Sequence, residues 1–172
     1  MKKIPFIVSL LVAFTGCQQE EKLPEVAAVS YPLYQSADYA FEGTATFELK
    51  DDANVELLIK LDGVRSMDPY FYTAHLHFGS FDEVDASIAQ VLSPIDSRTL
   101  ESRTQLGKLT NGTAIDFESL KNFDGHIKIH LADQGPDYDV ILVSGNIGSN
   151  DTSLENFNTN KLALCSPSYP NY

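Results

Sequence analysis

Apolar and polar residues alternate with a period of two through most of the chain from about residue 41 onward. This period is typical of half-buried β-strands, because successive side chains of a strand point to opposite faces. No stretch longer than a couple of turns has the period of a helix. The pattern predicts strands at residues 41–49, 55–64, 71–78, 87–92, 100–109, 113–117, 126–131 and 140–144.

Short segments rich in Asp, Asn and Gly separate the alternating stretches and are predicted to be turns. Residues 51–54 and Asn111-Gly112 suit hairpin turns, residues 133–139 a longer loop, and residues 118–123 one helical turn. Seven or eight short strands at a spacing of roughly ten residues are typical of all-β folds. We therefore predict an antiparallel Greek-key sandwich or barrel, in one domain over residues 38–150.

Both ends of the chain differ from this alternating centre. Residues 17–37 are polar and contain prolines without a sustained period, so they are predicted to be a flexible tether. Residues 151–172 are rich in Asn, Ser and Pro and are predicted to be a C-terminal tail. Within that tail, residues 161–165 are a candidate edge strand.

The N-terminus has the pattern of a secretory signal. Lys2 and Lys3 precede an apolar run at residues 4–14, which is shorter than the about 20 residues that span a bilayer. The following Phe14-Thr15-Gly16-Cys17 resembles the lipobox of bacterial lipoproteins, with Phe14 where Leu is usual. This resemblance implies that residues 1–16 are removed and that Cys17 is acylated. The alternative is an ordinary cleaved signal peptide and an unmodified Cys17.

Charge narrows the range of partners. Without residues 1–16 the chain has ten basic and 24 acidic side chains, a formal net charge of −14. Nucleic-acid binding needs clustered Lys and Arg to neutralise phosphates, so no nucleic-acid partner is expected. Anionic lipid headgroups would also repel this domain, so membrane attachment is expected through the lipid on Cys17. Cys165 is the only other cysteine, so no internal disulfide is expected.

The residues that directly follow Cys17 bear on location. Gln18-Gln19-Glu20-Glu21 is acidic and resembles the export signal of some outer-membrane lipoproteins. This resemblance implies an outer-membrane lipoprotein of the cell envelope that faces either the periplasm or the cell surface.

All four histidines lie in two predicted strands. His75 and His77 share one face of the first strand, and His126 and His130 share one face of the second. If the two strands are neighbours, three or four imidazoles converge, which is the ligand type and number that zinc and copper prefer. The alternative is that these histidines are polar residues on the solvent faces of two amphipathic strands.

Three motifs resemble the CHRD domain, which is named after chordin and found in many microbial exported proteins. They are His-Leu-His-Phe-Gly at residues 75–79, Gly-His-Ile-Lys-Ile-His at 125–130 and Gly-Asn-Ile-Gly at 145–148. The resemblance covers about residues 40–150. His126 stands where the family has a tyrosine, which makes it a weaker ligand candidate than His130, and the third motif lacks the family's Glu and Arg.

A more distant similarity is to Cu/Zn superoxide dismutase, a Greek-key β-barrel that holds copper partly through an H-x-H strand followed by Phe-Gly. His75 and His77 match that strand, and His130 matches a later copper ligand. No histidine lies between His77 and His126, so the bridging ligand and the zinc subsite have no counterpart. The similarity implies a metal site reduced to His75, His77 and His130, with His126 as an optional fourth ligand.

Catalytic motifs give no support for an enzyme. The chain has no H-E-x-x-H, G-x-S-x-G, P-loop or dinucleotide fingerprint, and the acidic stretches 82–85 and 133–139 suit solvated turns better than calcium loops. We therefore expect a lipid-anchored envelope binding module whose histidine site takes copper or zinc. The alternatives are a copper-only redox enzyme similar to superoxide dismutase and a metal-free protein-interaction module.

Overall fold

The computed structural model describes residues 26–50 and 53–165, so Cys17 and the predicted signal sequence lie outside the described residues. The described part is almost entirely β-structure, with one short helix, α1 at Phe117–Leu120, and two 3₁₀ turns at Pro136–Asp139 and Thr159–Lys161. Its strands are β1 Ala28–Gln35, β2 Glu42–Leu49, β3 Val55–Asp62, β4 Phe71–Phe78, β5 Ile88–Val91, β6 Ile95–Asp96, β7 Glu101–Gln105, β8 Asp124–His130 and β9 Ile141–Gly148.

Eight of these strands close into an antiparallel barrel. Their order is β4-β6-β7-β3-β2-β1-β9-β8, and pairing of β8 with β4 closes the barrel. The ninth strand, β5, pairs with the part of β4 that follows the β6 pairing, on the same edge as β6. The chain passes from β3 to β4 across β7 and β6, and from β7 to β8 across β6 and β4, which are the long connections of Greek-key topology. The predicted all-β barrel is therefore confirmed.

The period-two alternation sets the two faces of each strand. Leu76 on β4, Ile127 and Ile129 on β8, and Phe47 on β2 are fully buried inside the barrel. Each such side chain contributes about 1.5–3 kcal/mol by leaving water. Their sequence neighbours point outward, which places the histidines on the outer face of the wall.

The predicted tether is wrong over its second half, because residues 28–35 form β1. Tyr31 and Leu33 are buried in the core, and β1 pairs with β2 and, at its end, with β9. Pro32 argues against a strand when the sequence is read alone, since proline is rare inside sheets. The close approach of β9 needs Gly145, because a Cβ there would lie 2.2 Å from the carbonyl oxygen of Pro32.

Two further predicted strands are not formed. In residues 113–117 a single bridge pairs Ala114 with Lys108, and Asp116 then starts α1. The Asp116 carboxylate accepts from the Ser119 amide at 2.7 Å, and this cap turns the backbone out of the extended conformation. Residues 161–165 continue irregularly after the second 3₁₀ turn and are not an edge strand. The helical turn predicted at residues 118–123 is present as α1.

Residues 149–165, here called the covering segment, run over the outer wall formed by β4, β8 and β9. The Phe157 ring packs against Phe81 at 4.9 Å and against Tyr34 at 5.0 Å between centroids. The Tyr34 hydroxyl donates to the Thr152 carbonyl at 2.6 Å, and the Ala163 amide donates to the Phe81 carbonyl at 3.2 Å. The outer side of this wall is therefore buried as well as its inner side.

Within the described residues, no helix is both long and apolar enough to cross a lipid bilayer.

Candidate metal centre

The pairing of β4 with β8 brings both histidine pairs onto one surface, here called the histidine face. In this antiparallel register His77 lies opposite His126, His75 opposite Lys128, and Thr73 opposite His130. The two strands are direct neighbours, which is the condition under which the sequence predicts convergence. His130 thereby becomes the diagonal neighbour of His75, within reach of a long side chain.

His75, His77 and His130 converge on one point. Their candidate ligand atoms all lie within 4.8 Å of one another, and the His75 ring centroid is 5.8 Å from that of His77 and 5.3 Å from that of His130. Two nitrogens at about 2.0–2.1 Å from one metal are separated by about 4.2 Å at most. Small side-chain rotations would therefore let these three buried histidines hold a metal ion.

Burial keeps the three imidazoles neutral. His75 is 4% exposed, and His77 and His130 are each 1% exposed. Loss of water lowers the pKa of His75 and of His130 to about 4 and that of His77 to about 3. Since a metal binds imidazole in its neutral form, the side chains are in the binding form at neutral pH.

Hydrogen bonds assign the tautomers of two of these histidines. Nδ1 of His77 lies 3.0 Å from the Ala86 carbonyl oxygen, and Nδ1 of His130 lies 2.6 Å from that of Tyr138. A carbonyl only accepts, so each Nδ1 carries the proton and each Nε2 keeps its lone pair. This backbone-anchored arrangement is usual for metal-ligating histidines.

His75 differs because its Nδ1 is buried and has no hydrogen-bond partner among the described residues. An unpaired buried polar atom costs about 1–3 kcal/mol. A metal ion bound to this nitrogen would remove that cost.

Parallel stacking against neighbouring rings fixes the orientation of the His77 and His130 imidazoles. The His130 ring stacks on Tyr138 at 4.4 Å with 2° between planes, and the His77 ring stacks on His126 at 4.8 Å with 9° between planes. His126 itself lies outside the three-histidine group and bonds through Nδ1 to the Gly79 carbonyl at 2.7 Å. The structure thus gives the predicted optional ligand a packing contact with His77.

Two more residues of the histidine face were not predicted as part of the site. Cys165 places its Sγ 3.5 Å from Nε2 of His77 and 3.4 Å from Nε2 of His130. Lys128 is 1% exposed, and its Nζ donates to the Ala163 carbonyl at 2.7 Å. Lys128 shares a strand face with two histidines, which is a signal in the sequence, but the approach of Cys165 depends on the path of the covering segment.

Burial also shifts the ionisation of these two groups. Loss of water lowers the pKa of Lys128 and raises the pKa of the Cys165 thiol. Each group partly opposes the shift of the other, because an ammonium and a thiolate attract.

An open cavity of about 680 Å³ borders the site beside His75. Tyr70, Phe71, Val91 and Asp133 line it together with His75. The cavity is mostly apolar, and it offers small molecules a route towards the His75 ring.

The acidic turns do not assemble a comparable site. Among the described residues, the three histidines are the one group of three or more potential ligands close enough to share an ion. Residues 82–85 and 133–139 contribute to no such group in the described part of the chain.

No family model matches the chain, and no curated protein or solved structure matches it either.

Proposed function

We propose that this protein is a metal-binding module in which His75, His77 and His130 hold a copper or zinc ion. The observation that carries the proposal is the convergence of three buried, neutral imidazoles within 4.8 Å. Imidazole suits both metals. The similarity of the H-x-H strand and the later His130 to the copper strands of superoxide dismutase supports the same assignment.

A purely structural role for these histidines explains the arrangement less well. Polar side chains that only face solvent would be exposed, yet His75, His77 and His130 are all buried. Polar side chains that only fill a core would have their nitrogens paired, yet Nδ1 of His75 is left without a partner among the described residues. A bound cation would pair this His75 nitrogen, whereas Nε2 of His126, which is also buried without a partner among the described residues, lies outside the group of three.

The protein exists, in this proposal, as a lipoprotein of the outer membrane that faces the periplasm or the cell surface. The support is in the sequence: the positive residues, the apolar run and Gly16-Cys17. Two or more acyl chains on Cys17 would hold the acidic barrel stably at a membrane. Its partners would be the membrane, through the lipid, and a metal ion or a ligand of the envelope.

The metal assignment is tested with a matched pair of variants on β8. His130→Asn and His126→Asn each keep a donor near the position of Nδ1, for the Tyr138 or the Gly79 carbonyl, and remove Nε2. The His130 change should lower zinc and copper affinity at least about 100-fold, and the His126 change less than about tenfold. Competition against a chromophoric chelator on the full-length chain in mild detergent measures both.

Two results would contradict the metal assignment. One is equal loss of affinity in both variants. The other is a wild-type chain that takes up neither metal at one ion per chain, measured by elemental mass spectrometry.

The lipid assignment is tested by replacing Cys17. Cys17→Ala should abolish labelling by a fatty-acid probe and leave a soluble or unprocessed form. Cys165→Ala is the control and should keep the label. Unchanged labelling and membrane partition after Cys17→Ala would exclude the lipoprotein assignment.

A copper-only redox enzyme is the second candidate, and the cavity beside His75 is the observation that favours it. We expect little superoxide dismutase activity from the copper-loaded chain. Its net negative charge repels superoxide, and no arginine follows Arg103 to attract the anion locally. Near diffusion-limited turnover that disappears in His130→Asn would establish the enzyme instead.

A further inference from the structure

We propose that Cys165 supplies the fourth metal ligand, as a thiolate that the covering segment brings to the three histidines. This inference rests on the proposed metal site and extends it to a His₃Cys centre. It also assigns the covering segment a function, which is to close the coordination sphere.

The distances from the cysteine sulfur to two of the histidines are those of a four-coordinate centre. With metal–sulfur bonds of about 2.3 Å and metal–nitrogen bonds of about 2.0–2.1 Å, sulfur and nitrogen ligands of a tetrahedral ion lie about 3.6 Å apart. Cys165 Sγ lies 3.5 Å and 3.4 Å from the Nε2 atoms of His77 and His130. The sulfur therefore already occupies a ligand position relative to two of the three histidines.

Without a metal, the single thiol proton of Cys165 cannot pair both imidazole nitrogens that face it. His77 and His130 each present an Nε2 lone pair, because their Nδ1 atoms donate to carbonyls. The Cys165 thiol has one proton and can donate to only one of the two. His75 adds a third buried nitrogen without a partner among the described residues. One cation between them would engage all three nitrogens and the sulfur after side-chain rotations, because Cys165 approaches His77 and His130 but is not in the group that includes His75.

The covering segment is fixed where it delivers Cys165. Two residues before the cysteine, Ala163 donates its amide to the Phe81 carbonyl and accepts from Lys128 Nζ at 2.7 Å. Lys128 therefore lies close to the sulfur, and in its charged form it would compensate part of the thiolate charge.

Metal binding at this cysteine is a ligand exchange without a redox change. The S–H bond breaks, its proton goes to water, and a metal–sulfur bond forms. A thiolate among imidazoles favours zinc and cuprous copper over harder cations. Cobalt(II) can replace zinc in such a site and reports a sulfur ligand by thiolate-to-metal charge transfer.

The experiment uses the full-length chain in a Cys17→Ser background, which leaves Cys165 as the only thiol. One equivalent of cobalt(II) should give d–d bands of a tetrahedral ion together with near-ultraviolet charge-transfer absorption. Adding Cys165→Ser should remove the charge-transfer absorption, keep the cobalt, and lower zinc affinity by at least about tenfold. His126→Asn is the matched control and should keep the charge-transfer absorption.

The outcomes separate this proposal from the proposed function. Cobalt bound at one equivalent and lost in His130→Asn, but without charge transfer, would leave the histidine site and exclude Cys165 as a ligand. An unchanged zinc affinity in Cys165→Ser would do the same. A chain that binds neither cobalt nor zinc would overturn both proposals.

Discussion

Two outer faces of the same barrel carry polar residues at the same period but meet different surroundings. The outer surface of β2, β3 and β7 and the residue after β2 is here called the ionic face. Its side chains form partly exposed ion pairs between Glu48, Glu56, Lys50 and Arg103, such as Lys50–Glu56 at 3.0 Å. On the histidine face the outward side chains are buried beneath the covering segment and adjoining loops. The side chains of the ionic face are partly exposed to solvent, whereas those of the histidine face form a buried polar layer.

The difference shows what strand alternation can and cannot indicate. Alternation identifies the side chains that point away from the barrel core. Whether another part of the chain lies over them decides their energetics, because an exposed ion pair contributes about 0–1 kcal/mol while a buried polar group must be paired. The same pattern therefore produces a solvated surface at one wall and a candidate metal centre at another.

The largest expected difference between the two faces is in how the stability of the metal-free protein depends on pH. Burial lowers the pKa of His75 and His130 to about 4 and that of His77 and His126 to about 3, from 6.5. Below pH 6.5 the unfolded chain takes up protons that the folded chain cannot. Stability should therefore fall as the pH drops from 6.5 towards 4, by roughly 2 kcal/mol per histidine at pH 5.

Urea unfolding at pH 7 and pH 5, after dialysis against a chelator, measures this loss. His126→Asn should recover about 2 kcal/mol of it. The stability of the ionic face depends on pH only in a lower pH range. Hydrogen bonds with Lys50 hold the pKa of Glu48 and of Glu56 below 4.5, so their contribution to stability is lost only as the pH falls through those lowered pKa values. Glu48→Gln should accordingly leave the change between pH 7 and pH 5 as it is. Equal stability of the wild-type chain at pH 7 and pH 5 would show that the histidines ionise normally.

A smaller effect comes from removing one buried hydrogen-bonding side chain, Asn146 on β9, or one exposed hydrogen-bonding side chain, Ser30 on β1. Asn146 accepts from the Phe81 amide at 2.9 Å and donates to the Asp151 carbonyl at 2.9 Å, so it joins β9 to the loop after β4 and to the covering segment. Asn146→Ala should cost about 1–3 kcal/mol, because it leaves the buried Phe81 amide unpaired. Ser30→Ala loses only the exposed bond to Thr46 and should cost at most about 0.5 kcal/mol.

Denaturant titration at pH 7 compares these two variants. Similar costs for both would mean that the covering segment does not exclude water from the histidine face. A cost for Asn146→Ala that disappears when the metal site is filled would instead show that the ion holds the segment in place.

The smallest effect is expected from the charges of the ionic face. Arg103→Ala removes ion pairs with Glu48 and Glu56 that are partly exposed. The loss should stay below about 1 kcal/mol and shrink as salt is added. A larger cost that does not change with salt would show that this face is less open to solvent than its exposure indicates.

Several elements could be read directly from the chain, and the exceptions have physical reasons. β4 matches its predicted bounds of residues 71–78, because Ala74 and Leu76 alternate cleanly with outward residues. β1 was missed because Pro32 suggested irregular backbone, and only the glycine at position 145 of β9 shows how the sheet accommodates that stretch. The predicted strand at residues 113–117 is wrong, since the Asp116 cap, a local polar contact, outweighed the alternation.

Some features of the candidate site likewise follow from the sequence, and others depend on the tertiary structure. The sequence determined which histidines could act together, because side chains two residues apart on a strand share a face and only two strands carry histidines. It also predicted an antiparallel all-β fold, and it determined the net negative charge and the apolar run that precedes Cys17. These are properties of local spacing and composition.

Only the tertiary structure decided that β4 and β8 are neighbours, that His130 lies diagonal to His75, and that Cys165 reaches both His77 and His130. It also decided that His126 supports His77 and stays outside the group of three. The physical reason is that Greek-key closure joins strands far apart in the chain. The path of residues 149–165 then determines which outward side chains are removed from water, and no local pattern encodes that path.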